Sequence, residues 1–354
     1  MNIAVIAITG GGARLAQMLC ESLEGSHLYV SSRYAAPAGS GSNSFEASEL
    51  KSLVASLWKK YDGFVLVMAT GIVVRLIAPL LESKDVDPGV VVMDDAGRFA
   101  VSLLSGHLGG ANGLAERCAA AVGARAVITT ATDANNLPSF DMLAREQGWV
   151  IDDISRVKTL NSLLLDNEEI AVVDPAGLTR NRLGGRGNVT YYETADEAAS
   201  STARGFLLVG NRLPPERINP EQLLILRPRN LALGIGCNRG TSADEIEAFV
   251  ALHLKQLSLS PKSVCCIASV AAKRDEAGLS ECAERMGVPL RCFESAELNQ
   301  IVFPSPPSEY ARAAVGVAGV AEPAAILASG GGRLLLNKVK SANVTLAIAE
   351  LKEE

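Results

Sequence analysis

Long apolar runs are missing from this 354-residue chain. No stretch approaches the ~20 residues a helix needs to cross a bilayer. Basic excess is missing too: the formal net charge is −6, and nucleic-acid binding needs clustered Lys and Arg against phosphate. Aromatics make up 5 % of the residues and histidine occurs three times. The seven cysteines are odd in number and irregular in spacing, and Cys265–Cys266 has no partner pair of the kind a metal site uses. They read as reduced thiols that pack as small apolar residues. The opening MNIAVIAITGGG has no basic leader, and its apolar run ends in glycine, so it reads as a first strand and not a signal peptide. A cytoplasmic protein is expected.

Nucleotide signatures are also lacking. A Gly-x-Gly-x-x-Gly match starting at Gly10 needs glycine at 15, where Leu15 stands, and no acidic residue follows at the end of a second strand. There is no phosphate loop ending in Gly-Lys-Ser/Thr. A nicotinamide or flavin enzyme is therefore disfavoured. The turn TGGGARLA still offers Gly11, Gly12 and Arg14 to a carboxylate or other anion, or it is a plain tight turn.

What is present is apolar mass, 48 % of the residues, in a repeating arrangement. Short β-branched runs (NIAVIAIT, FVLVMA, RFAVSLLS, AVITTATD) enter glycine-containing turns, and amphipathic segments follow the first three. That alternation predicts a multi-domain α/β protein of three-layer units, with mostly parallel sheets and Gly-rich strand-to-helix loops. The organisation reads as an N-terminal α/β domain over 1–133, a smaller middle module over 134–229 and a C-terminal α/β domain over 230–354. The segment SSRYAAPAGSGSNSFEAS reads as a loop, and VVMDDAGRFAVSLLS as a hairpin turning at Asp94–Gly97.

In open α/β sheets ligands bind outside the carboxyl ends of strands, so the Gly-rich loops are expected to share one edge. Thr70, Gly71 and Arg75 open one helix. Arg75 opposes the helix dipole and is expected to meet a bound carboxylate or to pair with Asp94 or Asp95. Ser105, Gly106, His107, Gly109 and Gly110 form a loop whose backbone can approach a ligand, and Asn112 is expected to cap the helix after it. His107 is suited to proton transfer near neutrality, or is a turn histidine bonded to backbone. Thr132 and Asp133 end the next strand. Asp133 either orients the imidazole, binds substrate or caps a helix. In the last domain Gly236, Asn238, Arg239 and Thr241 form a second anion-friendly turn, with Thr241 or Ser242 as cap. Lys338 and Lys340 lie further on. Together these loops point to a large, multiply charged substrate held between domains.

The stretch ATGIVVRLIAPLLESKDVDPGVVVMDDAGRFAVSLLSGHLGGANGLAERCAAAVGARAVITTATD resembles the N-terminal region of the cobalamin-biosynthesis CbiG family, the cobalt-precorrin-5A hydrolases. LALGIGCNRGTSADEIEA and KSANVTLAIAE resemble that family's C-terminal domain, which also occurs alone as CobE. The resemblance covers nearly the whole chain, more loosely from 134 to 229. Asn238 stands where an arginine is expected. The resemblance implies opening of the δ-lactone of cobalt-precorrin-5A and release of acetaldehyde to give cobalt-precorrin-5B. The cobalt belongs to the corrinoid substrate, so no protein metal or cofactor is implied. A non-catalytic corrinoid carrier is the alternative.

On this reading His107 is the base, and Asp133 holds it or takes that role. N–H groups of Gly109–Gly110 stabilise the oxyanion, while Arg14, Arg75 and Arg239 hold peripheral carboxylates. Neither nucleic acid nor membrane is expected as a partner. Pairing with a second copy, or with neighbouring methyltransferases of the pathway, is left open.

Overall fold

The computed structural model describes residues 1–35, 43–83, 86–185 and 188–352. The chain divides into two compact units: 1–145 with 164–167, and 146–163 with 168–354. Three sheets are distributed over them, one in the first unit and two in the second.

The first unit runs β1 (Ile3–Ala7), α1 (Gly10–Ser22), β2 (Ser26–Ser31), β3 (Asn43–Phe45), α2 (Leu50–Leu57), β4 (Gly63–Val67), α3 (Thr70–Ile77), β5 (Gly89–Met93), β6 (Phe99–Leu104), α4 (Ala111–Val122), β7 (Arg125–Val127), α5 (Ala131–Ala134) and α6 (Phe140–Glu146). Its strands form one sheet in the order β3-β2-β1-β4-β5-β6-β7. Val5, Val65, Val67 and Val91 pack with Leu15 and Leu19 of α1 and Leu114 and Cys118 of α4. Ile6, Phe64, Leu66 and Val92 pack on the other side with Val54 and Leu57 of α2 and Val73 and Ile77 of α3. Both faces are covered, which is why β1, β4 and β5 are apolar without alternation. The segment read as a loop after Ser31 contains the edge strand β3, while its residues 36–42 lie outside the described residues.

The direction of the strands decides where the loops go. β1 to β5 are mutually parallel, but β5 and β6 are antiparallel and β6 and β7 parallel. The hairpin at Asp94–Gly97 turns the chain round. Asp94 fixes that turn by accepting from the backbone N–H groups of Ala96, Arg98 and Phe99 at 2.7–3.0 Å.

The second unit continues with β8 (Val150–Ile151), α7 (Ser155–Leu165, its end counted in the first unit), β9 (Ile170–Val173), α8 (Arg180–Leu183), β10 (Val189–Tyr192), α9 (Ala195–Ala199), β11 (Gly205–Val209) and β12 (Leu223–Arg227). Then come β13 (Leu231–Cys237), α10 (Ala243–Gln256), β14 (Val264–Val270), α11 (Ala277–Arg285), β15 (Leu290–Phe293), α12 (Ser295–Leu298), α13 (Glu309–Val315), α14 (Ala321–Ala328), β16 (Arg333–Lys340) and β17 (Val344–Glu350). One sheet has the order β10-β9-β11-β12-β8, the other β15-β14-β13-β17-β16.

Polar contacts fasten the two sheets of this unit together across 229/230. Asn211 donates to Glu350 at 2.7 Å, Ser260 N–H to Asn211 O at 2.8 Å, and Lys262 pairs with Asp152 at 3.2 Å. Asp152 also holds Arg227, which is 1 % exposed and donates onward to the carbonyls of Gly210 and Arg212. The compact units break at 145/146.

Candidate active site

Because β6 and β7 run against β1 to β5, their following loops emerge at the opposite edge of the sheet from those after β1 and β4. A five-residue strand such as β4 spans roughly 17 Å. Gly11, Gly12, Arg14, Thr70, Gly71 and Arg75 are therefore separated by the sheet from His107 and Asp133, contrary to the single edge expected from sequence. At its own edge, the α1 turn is closed by the protein. Thr9 caps α1 by accepting from Gly12 N–H at 3.0 Å and donates to Asp95. A Cβ on Gly11 would lie 2.5 Å from the Asp95 carboxylate, so that carboxylate occupies the place assigned to an incoming anion. Arg75 pairs with neither Asp94 nor Asp95; its Nη1 donates to Gly71 O at 2.7 Å, one turn back. Arg14, Thr70 and Gly71 are exposed.

The other edge gathers a connected polar cluster. His107 Nε2 lies 2.8 Å from Asp133 Oδ2 and 3.2 Å from Thr132 Oγ1. His107 Nδ1 lies 3.1 Å from Ser139 Oγ and 3.4 Å from Asp141 Oδ2, and Ser139 donates to Asp141. Asp133 also accepts from Thr130 and, at 3.2 Å, from Asn112 Nδ2. Asn112 itself is held by Ser102 Oγ at 2.6 Å. Asn112 is 7 % exposed and is not the cap of α4; that place is taken by Gly110, at φ 81°. Asn112 and Thr132, at 4 % exposure, act as struts for the two catalytic candidates and have little surface for substrate.

The oxyanion role expected of this turn fails for Gly110. Its N–H donates to His107 O at 2.9 Å, and the next two N–H groups go to Ser105 O and Gly106 O. The turn has no room to change. A Cβ on Gly106 would lie 2.6 Å from Asn112 Oδ1, and one on Gly109 would lie 2.4 Å from Ser105 Cβ. Ser105 holds φ 53° and its buried Oγ has no partner. Arg145, which sequence reading missed, reaches this turn from α6, with Nη1 donating to His107 O at 2.8 Å. Gly110 leaves it room: a Cβ there would meet the guanidinium at 2.7 Å.

Exposure falls through the cluster from 42 % for the Asp133 side chain to 16 % for His107 and 5 % for Asp141. Hydrogen bonding to Asp141 raises the His107 pKa; burial opposes this and Asp133 adds to it. Burial pushes the Asp133 carboxyl up, but hydrogen bonds from Thr130 and His107 together outweigh it and hold the acid below its ordinary value. The state favoured is an imidazolium donating from both ring nitrogens to flanking acceptors. Both ring nitrogens of His107 are thus engaged, and the exposed carboxylate of the cluster is Asp133. A cavity of about 600 Å³ adjoins, lined by Trp58, Tyr61, Asp87, Leu108, Gly109 and Arg145 among others.

The turn after β13 belongs to the second unit. Ser242, not Thr241, caps α10 by accepting from Glu245 N–H at 3.3 Å. Thr241, 6 % exposed, donates to Asn238 O at 2.9 Å. Asn238 bonds Asn343 at 3.0 Å, and Gly236 lies against Thr345. Arg239 is exposed. Burial pushes the Cys237 thiol up, away from nucleophilic thiolate. Among the described residues all seven cysteines are free, no three His, Cys, Asp or Glu are placed to hold a metal ion, and no helix is long and apolar enough to cross a membrane.

Three family profiles match in succession: "Cobalamin synthesis G N-terminal" over 52–133, "Cobalamin biosynthesis central region" over 138–228, and "Cobalamin synthesis G C-terminus" over 231–349. A cobalt-precorrin-5A hydrolase from Priestia megaterium is 37 % identical over 98 % of this chain and 94 % of the relative. The chain belongs to the cobalamin-synthesis G family. A second relative of the same name, from Salmonella typhimurium, is 34 % identical over 81 % of this chain and 82 % of its own length. Protein CobE from Sinorhizobium sp. is 34 % identical over 34 % of this chain and 79 % of itself. In this member of the G family, Asp133 closes the N-terminal match, while Ser139, Asp141 and Arg145 lie in the central one. The His107 cluster is thus assembled from two of the family's three segments.

Proposed function

We propose that this chain is a cobalt-precorrin-5A hydrolase that opens the substrate's δ-lactone and releases acetaldehyde, leaving cobalt-precorrin-5B. The observation that carries the assignment is the 37 % identity to a relative of that name over nearly both whole chains. The cobalt is part of the substrate, and no protein-bound metal or cofactor is called for by the reading. The protein is placed in the cytoplasm, in line with its unpaired thiols; its product passes to the pathway's methyltransferases.

The chemistry is assigned to the Asp133 edge of the first unit. Water adds to the lactone carbonyl, the acyl–oxygen bond breaks, and a carboxylate and a hydroxyl result. That hydroxyl then loses its proton, its carbon becomes the carbonyl of acetaldehyde, and the pair of the broken carbon–carbon bond passes to the macrocycle. Each stage needs a proton acceptor beside the substrate. Asp133 is the most exposed member of the cluster and the one expected to be ionised, which supports it as that acceptor. His107, held from behind by Asp141 and Ser139, positions the carboxylate and balances its charge. Arg145 supplies the cationic donor that Gly110 N–H does not, at the lactone oxygen or at a neighbouring carboxylate.

The test is anaerobic incubation of the purified chain with enzymatically generated cobalt-precorrin-5A. Acetaldehyde is trapped as a hydrazone and the corrinoid weighed by mass spectrometry. Acetaldehyde in step with loss of the lactone is expected. Bound but unaltered corrinoid, with no acetaldehyde, would overturn the assignment in favour of a carrier.

A further inference from the structure

We infer that Cys265 and Cys266 are a reversible oxidation site: hydrogen peroxide converts the two neighbouring thiols to a vicinal disulfide, and small thiols reduce it again. The site lies wholly in the second unit and does not depend on the hydrolase assignment.

Neighbours along a strand point to opposite faces of the sheet. These two sulfurs do not. In the parallel pairing of β13 with β14, Leu231 lies opposite Val264, and the next residue, Ala232, lies opposite Cys266. Cys265 is thus the extra residue of a β-bulge, a device that is rare between parallel strands and that re-aims a side chain. Its Sγ lies 3.6 Å from Cys266 Sγ. Both side chains pack into one apolar cluster with Ala268 and Ala328.

The two thiols are unequal. Cys266 is 2 % exposed, whereas Cys265 is only partly buried. The hydrogen bond from the Cys266 thiol holds the Cys265 thiol below its ordinary value; burial opposes this and the Arg291 charge adds to it. The same hydrogen bond, together with burial, pushes the Cys266 thiol up. Burial raises each of the other five: Cys20, Cys118, Cys237, Cys282 and Cys292. Cys265 is therefore the attacking sulfur and Cys266 the resolving one. Among the described residues no third His, Cys, Asp or Glu joins them to hold a metal ion.

The chemistry has two steps. The Cys265 thiolate attacks one peroxide oxygen. An S–O bond forms, the O–O bond breaks, and hydroxide leaves to take up a proton as water. The Cys266 sulfur then attacks the sulfenic acid. The S–S bond forms, the S–O bond breaks, and hydroxide departs as water with the thiol proton. Two thiols are oxidised by two electrons and one peroxide is reduced to two waters. Adjacent Cα atoms are about 3.8 Å apart, less than the ~4.4 Å at which ordinary disulfides begin. The ring formed is strained, and strained disulfides are the readily reduced ones.

The test treats the full-length protein with hydrogen peroxide, alkylates it and digests it with trypsin. The peptide 263–273 carries both cysteines. It is expected to lose two hydrogen atoms, to refuse the alkylating agent, and to recover both thiols with dithiothreitol. Its oxidation should outpace that of the other five cysteines by about tenfold or more. Phenylarsine oxide, whose trivalent arsenic exchanges its oxygen for two thiol sulfurs and releases water, should bind stoichiometrically and block the oxidation. In Cys266→Ala, dimedone should trap a Cys265 sulfenic acid and no disulfide should form. If that variant loses its fold by circular dichroism, Cys265→Ser carries the test, with Cys266 then indifferent to both peroxide and arsenical.

Both thiols still open to alkylation after the other cysteines have been oxidised would overturn the inference. So would a disulfide that joins Cys265 to a cysteine outside this peptide. No readout involves a corrinoid, so failure of the hydrolase assignment would leave every one of these results unchanged.

Discussion

The two edges of the seven-stranded sheet make an instructive pair. The edge after β1 and β4 has the usual furniture of an α/β site: a triple-glycine turn, two helix N-termini and the arginines Arg14 and Arg75. Yet it is satisfied from within, since Thr9 caps α1, Asp95 lies against the glycines and Arg75 returns to its own helix. The edge after β6 and β7 holds the linked Asp141–His107–Asp133 cluster, exposed at one end. One antiparallel pairing, β5 with β6, separates the two. The rule that ligands gather outside carboxyl ends of strands follows each strand's own direction. A reversed strand carries its loop to the far edge.

The sharpest way to break this contrast is at Asp133. Asp133→Asn should lower kcat by about 10²–10⁴, the usual worth of a general base, with circular dichroism unchanged. His107→Gln should cost less, about 10- to 100-fold in kcat, because a positioning partner is lost and the carboxylate remains. A larger loss for His107→Gln than for Asp133→Asn would return the base role to the imidazole. Arg145→Ala should reduce kcat/KM by about tenfold or more through the lost charged hydrogen bond, with partial recovery in Arg145→Lys. Equal loss in the alanine and lysine variants, with kcat untouched, would make Arg145 only a brace for the His107 carbonyl.

A smaller, graded effect is expected in stability against pH. His107 has its pKa raised from 6.5, so its contribution is complete below that value and is lost as pH rises through the raised one. Asp133 is lowered from 3.8, so its contribution is present above that value and lost as pH falls through the lowered one. The melting-temperature gap between parent and His107→Gln should be widest below pH 6.5 and shrink as pH rises through the raised pKa. A gap that widens toward pH 9 would mean the imidazole is neutral in the folded cluster.

The architecture was legible because its signal is local. Apolar runs such as IAVIA and GFVLV have both faces covered, glycine turns follow, and the hairpin at Asp94 closes with side-chain-to-backbone bonds that any Asp-x-x-Gly turn invites. His107 and Asp133 could be singled out for the same reason, as a proton-transfer group in a glycine loop and a carboxylate at a strand end. Their direct contact, and the distance between them and Arg14 or Arg75, depend on the sense of β6, which no residue type announces. Asp141 and Arg145 were missed because they sit in an ordinary helical pattern, FDMLARE, whose polar residues look like a solvated face. Asn112 misled in the opposite way. It is a good cap by type, but Gly110 at positive φ takes that position and frees Asn112 to turn inward toward Asp133.

The smallest effect is also the most discriminating. Arg14→Ala and Arg75→Ala should leave kcat and KM for cobalt-precorrin-5A within about twofold of the parent, since surface charges without a bound partner are worth little. Arg75 already spends a donor on Gly71 O, so its loss should trim helix stability slightly and touch nothing at the Asp133 edge. Asp95 provides a positive control at the same place. Asp95→Ala removes the carboxylate against Gly11 and Gly12 and leaves Thr9 without its acceptor. It should lower the melting temperature while kcat holds. A tenfold rise in KM for either arginine variant, with melting unchanged, would show that this edge does meet a substrate carboxylate. The far-edge assignment of the chemistry would then have to accommodate a ligand reaching across the sheet.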